Sequence, residues 1–261
     1  MSDFHTPVLL EEAVAYLNVV PGERYVDATL GGGGHAQRIK SLGGMVLGLD
    51  QDEEAIENSK NLVDRVVKTN FTHLEDVVRD EKWSPVSGVL LDLGVSMHQI
   101  TSSQRGFSFQ KDGPIDMRMG NSEITAAELV NQLPVAQLTS LFRDFGEIPV
   151  AKSLAEKIIA NRPLKTTSQL AIVCGQWSQQ AFQALRIAVN DELGSLEQVL
   201  PQTLNVLKSG GRAVVISFHS LEDRIVKNTF NSWSDQKLGK VLTKKPIDGE
   251  RHSKLRAFEK I

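Results

Sequence analysis

The chain of 261 residues has a single cysteine, Cys174, and contains no run of 18 apolar residues. One thiol cannot form an internal disulfide and offers too few ligands for the usual structural zinc sites. The absence of a long apolar run excludes a transmembrane helix, and the first residues lack the basic and apolar regions of a secretory signal. We therefore expect a cytoplasmic protein with no membrane partner.

A general excess of positive charge is also missing, since the formal net charge is −3. The segment 236–261 is the exception, because it holds eight basic residues against three acidic ones. The basic residues are Lys237, Lys240, Lys244, Lys245, Arg251, Lys254, Arg256 and Lys260. Two interpretations stay open: a patch that faces RNA phosphates, or a solvated tail without a partner, which composition alone favours.

Short apolar runs that end in acidic or glycine residues alternate with helical patterns, which is typical of an α/β protein. Their near-continuous hydrophobicity suits parallel strands that are covered on both faces. The runs are 24–27, 45–50, 65–69, 88–92 and 212–217. Segment 254–260 alternates in character, and we predict it as an edge strand that closes the sheet. The fold class is a doubly wound, mostly parallel, Rossmann-like sheet.

The separation between Asp92 and Arg212 is far longer than one crossover needs and predicts an insert. Within it, Thr125 and Glu128 form the pattern of a capping box, and Pro134 suits the first turn of a following helix. We predict a helical insert at 101–190 that recognises the substrate. The cofactor-binding core then comprises 1–100 and 191–261.

Four glycines, Gly31–Gly34, follow the first predicted strand and precede a helical stretch. Such a turn lets a ligand approach the backbone closely, and helix-terminal amides can meet it. A tight turn without a ligand is the alternative. The pattern Gly31-x-Gly33-x-x-Ala36 also satisfies the dinucleotide fingerprint, with Asp50 placed for a ribose, so an NAD-dependent oxidoreductase remains a competing hypothesis.

Three side chains favour S-adenosylmethionine as the cofactor. Asp27 ends the first strand, where it can meet the ammonium group of this cofactor and would repel a pyrophosphate. Asp50 ends the second strand and can accept both ribose hydroxyls, whereas Phe71 follows the third strand and can lie against the adenine. Asp50 as a mere helix cap is the alternative.

Asp92 ends the fourth strand and should emerge at the carboxyl edge of the sheet, beside the transferable methyl group. An exocyclic amine of a base is a poor nucleophile until a neighbouring carboxylate accepts its hydrogen. Asp92 is therefore the candidate catalytic residue, although it can instead position the cofactor. His219 follows the last core strand at the same edge and is a second catalytic candidate, and Ser220 with Asp223 is expected to cap the next helix.

Two absences narrow the chemistry. Methylation at pyrimidine carbon 5 requires a cysteine nucleophile, and Cys174 lies in a helical stretch without that context. No cluster of His, Asp and Glu has metal-ligand spacing, so no metal is predicted, and displacement at a sulfonium methyl requires none. The sequence thus predicts methylation of nitrogen or oxygen.

The polar stretch 104–118 carries interleaved aromatic and basic side chains, which can stack on a splayed base and hold a phosphate. Packing of a lid is the alternative interpretation. The candidate substrate-binding residues are Arg105, Phe107, Phe109 and Arg118.

Seven segments together resemble the bacterial family that methylates cytosine in 16S ribosomal RNA at the exocyclic N4. The segments are 5–11, 31–35, 92–96, 105–109, 112–118, 182–186 and 217–224, and the resemblance extends from 5 to 261. It implies a class I methyltransferase core with a helical insert, and 16S RNA or the small ribosomal subunit as partner. It also implies cofactor contacts at Gly33, Gly34, His35, Asp50, Phe71, Asp92 and Gln99.

The chain departs from this family by being shorter. Residues 175–180 replace a basic stretch before Phe182, and the usual Gly-Glu-Glu reads Gly146-Glu-Ile148. We expect activity to survive with altered RNA contacts, although a non-catalytic RNA-binding or assembly factor that keeps the cofactor fold is an alternative. The sequence is compatible with a homodimer and does not decide the oligomeric state.

Overall fold

A computed structural model describes residues 7–95, 102–120 and 122–261. The strands are β1 (Arg24–Asp27), β2 (Met45–Asp50), β3 (Arg65–Lys68), β4 (Val86–Asp92), β5 (Leu207–Ser217), β6 (Gly239–Val241), β7 (Ile247–Asp248) and β8 (Lys254–Lys260). The helices are α1 (Leu10–Leu17), α2 (Gly34–Ser41), α3 (Glu53–Ser59), α4 (Leu74–Asp80), α5 (Ala126–Gln132), α6 (Val135–Asp144), α7 (Ala151–Ala160), α8 (Thr167–Cys174), α9 (Ser178–Asn190), α10 (Glu192–Val206) and α11 (Ser220–Asp235). Among these residues, no helix is long and apolar enough to cross a membrane.

One sheet carries these strands in the order β3-β2-β1-β4-β5-β8-β6, and β7 pairs with β8. Strands β1 to β5 are mutually parallel, whereas β8 runs antiparallel to β5. The predicted doubly wound, mostly parallel sheet is thereby confirmed. The order reverses between β1 and β4, which is where this class of fold forms its ligand crevice.

The prediction that 254–260 is an edge strand was wrong, because β8 lies between β5 and β6. Leu255, Ala257 and Phe258 are fully buried in it. The misleading charge in this segment is Arg256, which is itself only 6% exposed and forms an ion pair with Asp223 at 2.6 Å. In the sequence, the charge of Arg256 suggested the solvent-exposed face of an edge strand, although its guanidinium is paired inside the sheet.

Neighbouring residues of the central strands pack on opposite faces of the sheet. Val26 and Leu91 belong to one buried cluster, and Tyr25 and Leu90 belong to the other. Both faces are therefore apolar, which is why the strands read as continuous hydrophobic runs rather than as an alternating pattern.

The chain divides into two compact units. One comprises the chain up to Gly94 together with Leu193–Ile261, and the other is Val95–Glu192. The second unit consists mainly of helices α5 to α9. The predicted capping box at its first helix is present, since the Thr125 side chain accepts from the Glu128 amide and the Glu128 carboxylate accepts from the Thr125 amide.

Two local predictions need correction. Pro134 is the N-cap of α6 and does not lie in its first turn. The strand predicted at 212–217 starts earlier, at Leu207, so Gly210 and Gly211 lie within β5. The register of β4 on β5 shifts there, and Gly210 has a φ of +76°, so these glycines form an irregularity in the strand.

Candidate active site

Three acidic side chains lie at the carboxyl edge of three adjacent strands. Asp27 ends β1, Asp50 ends β2 and Asp92 ends β4, and β1 pairs in parallel with both of its neighbours. The strand ends therefore converge at the crevice where the strand order reverses. The sequence predicted this juxtaposition.

The glycine-rich turn follows β1 and leads into α2. Gly31 and Gly33 have φ values of +48° and +73°, which glycine adopts without steric cost. The amide of Gly31 donates to Oδ2 of Asp50 at 2.8 Å, and its carbonyl accepts from Oγ of Ser59 at 2.6 Å. Hydrogen bonds from two other elements therefore fix the turn, and Ser59 was not anticipated from the sequence.

Pro7 and Val8, which precede α1, lie against the end of this turn and the start of α2. A Cβ added to Gly34 would lie 2.2 Å from Cγ of Pro7, so a glycine is required there. Nε2 of His35 lies 3.2 Å from the carbonyl oxygen of Val8. These contacts give a structural role to Pro7 and Val8, for which the sequence suggested none.

Asp27 is 2% exposed, and its Oδ1 accepts from the amide of Thr29 at 3.3 Å. Burial, with smaller contributions from the negative charges of Asp92 and Asp50, raises the pKa of Asp27 to about 7. A nearby cation would therefore stabilise the ionised form of the Asp27 carboxyl group.

Asp92 has a similar environment but remains accessible. Burial raises its pKa to about 7, with a smaller contribution from the charge of Glu222. Its side chain keeps 22% of its surface exposed, and Oδ2 lies 3.7 Å from Nδ1 of His35. Burial lowers the pKa of His35 to about 4, so the imidazole is neutral near pH 7 and does not form an ion pair with Asp92.

Asp50 is held as a fixed acceptor. Its Oδ2 accepts from Gly31, and its Oδ1 accepts from the amide of Asp52 at 2.8 Å. The residue that caps α3 is Asp52, whose side chain accepts from the amide of Glu54. Asp50 is therefore not that helix's cap, and the remaining lone pairs of its carboxylate can accept hydroxyl groups.

Phe71 begins a short 3-10 helix after β3, where its half-buried ring packs against the core. Gln99, which the resemblance places in the cofactor site, lies outside the described residues.

The donor set fits a cationic cofactor. Three carboxyl groups surround a turn of backbone amides, and the strongest charge effects on Asp27 come from other carboxylates. A pyrophosphate would meet repulsion there, whereas the sulfonium and ammonium groups of S-adenosylmethionine would meet attraction. The crevice therefore fits S-adenosylmethionine better than it fits a dinucleotide.

Comparison with known proteins decides the class. The profile of the MraW methylase family matches residues 2–259. This chain belongs to the MraW methylase family. It is an S-adenosylmethionine-dependent methyltransferase, which confirms the class of enzyme and the cofactor predicted from the sequence.

Several relatives bear the name "Ribosomal RNA small subunit methyltransferase H". The one from Symbiobacterium thermophilum is 44% identical over 259 residues, which cover 90% of this chain and 81% of the relative. The one from Geotalea daltonii is 43% identical over 314 positions that cover both chains completely. Since this methylase has 261 residues, that relative contains segments that it lacks. A solved structure, a putative rRNA methylase from Clostridium thermocellum, is 19% identical with a TM-score of 0.49 and covers 98% of this chain and 100% of its own.

His219 has a structural role in this methylase. It is the N-cap of α11, where its Nδ1 accepts from the amide of Glu222 at 3.4 Å, and the Glu222 carboxylate accepts in return from the amides of Phe218 and His219. The prediction that Ser220 caps this helix was wrong, because Ser220 is its first residue. An imidazole nitrogen replaces the usual cap oxygen, which residue preferences alone do not reveal.

The candidate substrate-binding residues of the second unit differ in the contacts that they make within the protein. The guanidinium of Arg118 forms two 2.8 Å hydrogen bonds with Asp116. Arg105 donates to the carbonyl of Arg118, and its guanidinium lies 5.9 Å from the ring centre of Phe107. Phe107 packs against the helical core, which supports the lid-packing alternative for this ring.

Phe109 is the most accessible of the four candidates. It is 41% exposed, and its ring meets that of Phe182 edge to face at 5.2 Å. A ring held from one side and open on the other suits stacking on a base.

At least three of the eight basic side chains in segment 236–261 are paired or hydrogen-bonded within the fold. Arg256 pairs with Asp223, and Lys240 pairs with Glu259 at 2.8 Å. Nζ of Lys260 donates to the carbonyl of Leu204 in the last turn of α10 and to that of Leu207, the first residue of β5. These residues stabilise the sheet and helix ends, so the tail offers less charge to phosphates than its composition suggested.

Proposed function

We propose that this methylase transfers the methyl group of S-adenosylmethionine to the exocyclic N4 of a cytosine in 16S ribosomal RNA. The names of its relatives support the small-subunit RNA as substrate, and the motif blocks support the N4 position. The proposal places the enzyme in the cytoplasm, with 16S RNA or the small subunit as its partner.

The observation that carries the proposal is the exposed part of the Asp92 carboxyl group at the edge of β4. Its raised pKa of about 7 suits a group that accepts a proton near neutral pH. A cytosine amine has its lone pair delocalised into the ring. A carboxylate that accepts one of its hydrogens restores electron density to N4.

The cofactor is held by this chain's own residues in the following way. Asp27 attracts the ammonium group, and Asp50 accepts the ribose hydroxyls. The backbone of Gly31–Gly34 and of His35 lines the approach, and Phe71 lies against the adenine. When bound, the cofactor supplies an electrophilic methyl on a sulfonium group. Gln99 completes the proposed set on the strength of the resemblance.

The bound cofactor would supply the methyl group that N4 gains, and no further reactant would be needed. The Asp92 carboxylate would accept the proton that the amine loses and would release it to solvent. The fixed strand ends position the carboxylate in advance, which lowers the entropic part of the barrier to such a displacement. His219 holds the adjoining loop through its cap, and a direct catalytic part for it remains a prediction.

The insert predicted at 101–190 recognises the substrate in this proposal, and the core of 1–100 and 191–261 binds the cofactor. Phe109 stacks on a base, whereas Phe107, Arg105 and Arg118 shape the loop that carries it. The missing basic stretch before Phe182 predicts weaker dependence on phosphate contacts there.

The test offers the enzyme two substrates, free 16S RNA and small subunits from cells that lack the modification. Nucleoside mass spectrometry should detect N4-methylcytidine after incubation with S-adenosylmethionine. RNA binding without any methylcytidine would favour the assembly-factor alternative and contradict the proposal. Light scattering on the same preparation tests for the homodimer with which the sequence is compatible.

A further inference from the structure

The end of β4 is held from the β1 side by a side chain rather than by the strand ladder. The amide of Asp92 donates to Oγ1 of Thr29 at 2.6 Å. Up to that point the contact is made by the backbone, since the amide of Ala28 donates to the carbonyl of Leu90 at 2.9 Å. After Thr29 the chain turns towards β2, and the amide of Leu30 donates to the carbonyl of Leu49.

The two strands therefore part at Asp92, as they must for a crevice to open between them. On the other side of β4 the ladder continues, because the amide of Leu93 donates to the carbonyl of Ile216 at 2.9 Å. Without Thr29, the backbone of Asp92 would be fixed from the β5 side only. The hydroxyl of Thr29 replaces the ladder bond that the opening removes.

Thr29 also contacts the second carboxyl group of the crevice. Its amide donates to Oδ1 of Asp27 at 3.3 Å. One residue thus sets the backbone of Asp92 with its hydroxyl and the side chain of Asp27 with its amide. The hydroxyl hydrogen of Thr29 has no acceptor among the described residues, so replacing the hydroxyl by a methyl leaves only the Asp92 amide without its partner.

We infer that Thr29 is a positioning residue for methyl transfer, acting through the backbone of Asp92. This inference rests on the proposed function, in which the Asp92 carboxylate must meet the amine of the target base. A displacement of about 1 Å at a reacting group can cost on the order of 100-fold in rate. Loss of the hydroxyl should therefore affect turnover much more than cofactor binding.

The experiment compares Thr29→Val, which keeps the shape and loses the hydroxyl, with Thr29→Ser, which keeps the hydroxyl. Thr29→Val should lower kcat by about 10- to 100-fold while the Kd for S-adenosylmethionine changes less than about 3-fold. Thr29→Ser should retain most of kcat. The matched control is Thr203→Val, which removes a buried hydroxyl from α10 that bonds the carbonyl of Val199 at 3.0 Å and should leave kcat unchanged.

Amide hydrogen exchange at Asp92, followed by NMR, gives a readout that needs no turnover. Exchange should be faster in Thr29→Val and unchanged in Thr29→Ser. Wild-type kcat in Thr29→Val, an equal loss in Thr29→Ser, or unchanged exchange at Asp92 would each overturn the inference. A wild-type enzyme that binds the cofactor but methylates neither RNA substrate would contradict the proposed function instead, and the exchange comparison would still decide whether Thr29 holds Asp92.

Discussion

Oγ of Ser59, at the end of α3, donates a hydrogen bond of 2.6 Å to the carbonyl oxygen of Gly31. Ser59 is fully buried, and a Cβ added to Gly33 would lie 3.2 Å from the Cβ of Ser59. The helix after β2 thus supports the turn after β1, and the shape of the cofactor site depends on a residue outside the glycine motif.

Replacing Ser59 by Ala should weaken cofactor binding. The substitution leaves the Gly31 carbonyl without its donor, which costs about 1–3 kcal/mol and corresponds to a loss of roughly 5- to 150-fold if it is expressed in binding. Calorimetry with S-adenosylmethionine measures the change. The matched control is Ser178→Ala in α9, which removes a buried hydroxyl that bonds the carbonyl of Ala171 at 3.0 Å. An equal loss of affinity in both variants would contradict the specific role of Ser59.

Cofactor affinity should rise with pH around neutrality. The pKa of Asp27 is about 7 without a ligand, and only the ionised carboxylate attracts an ammonium group. Between pH 6 and pH 8 the ionised fraction of such a group increases about 10-fold, and the association constant should increase similarly. Calorimetry across this range measures it. Asp27→Asn should bind weakly at all pH values with a flattened profile, and an unchanged slope in that variant would refute the assignment.

The contribution of Asp27 and Asp92 to the free energy of unfolding should fall as the pH rises around neutrality, whereas the cofactor affinity rises. In the unfolded chain Asp27 and Asp92 titrate near 3.8, whereas in the folded protein both have a pKa of about 7. Between these values the folded state binds more protons, so their contribution to stability is complete at the acid end and is lost as the pH rises through about 7. Urea titrations of wild type and Asp92→Asn, without cofactor, compare the slopes. A wild-type slope no steeper than that of the variant in this range contradicts the pKa values.

Phe109→Ala should raise the KM for RNA about 10-fold and change the Tm little. Stacking of a base on an aromatic ring contributes about 1–3 kcal/mol, and this ring is already 41% exposed. Filter binding and steady-state kinetics with 16S RNA measure the effect. Ile172→Ala on α8 is the control, since that side chain is 78% exposed in the same unit. If both variants bind RNA like wild type, Phe109 does not stack on the substrate.

Local patterns predicted the parallel strands and the glycine turn because each is encoded within a few residues. The same holds for Asp27, Asp50 and Asp92, since an acid at a strand end needs no tertiary information to be noticed. Ser59 and Thr29 could not be found in this way. The side chain of each makes one hydrogen bond, to a residue 28 positions away for Ser59 and 63 positions away for Thr29, and such a contact leaves no periodic signal in the sequence.

The errors also have physical causes. Segment 254–260 was misread because Arg256 is neutralised by Asp223, which lies 33 residues earlier in the chain. Ser220 was predicted as a cap from residue preference, but the buried Glu222 carboxylate completes a box with His219 one position earlier. In both cases a distant or unusual partner decided the outcome.

The most direct test of the account is single-turnover methylation by Asp92→Asn beside wild type, with N4-methylcytidine measured by mass spectrometry. Asparagine keeps the shape and the hydrogen bond from the backbone but cannot accept the amine proton. We predict a rate lower by about 100-fold or more, with a Kd for S-adenosylmethionine within a few-fold of wild type. A variant that forms N4-methylcytidine at the wild-type rate would contradict the catalytic role of Asp92.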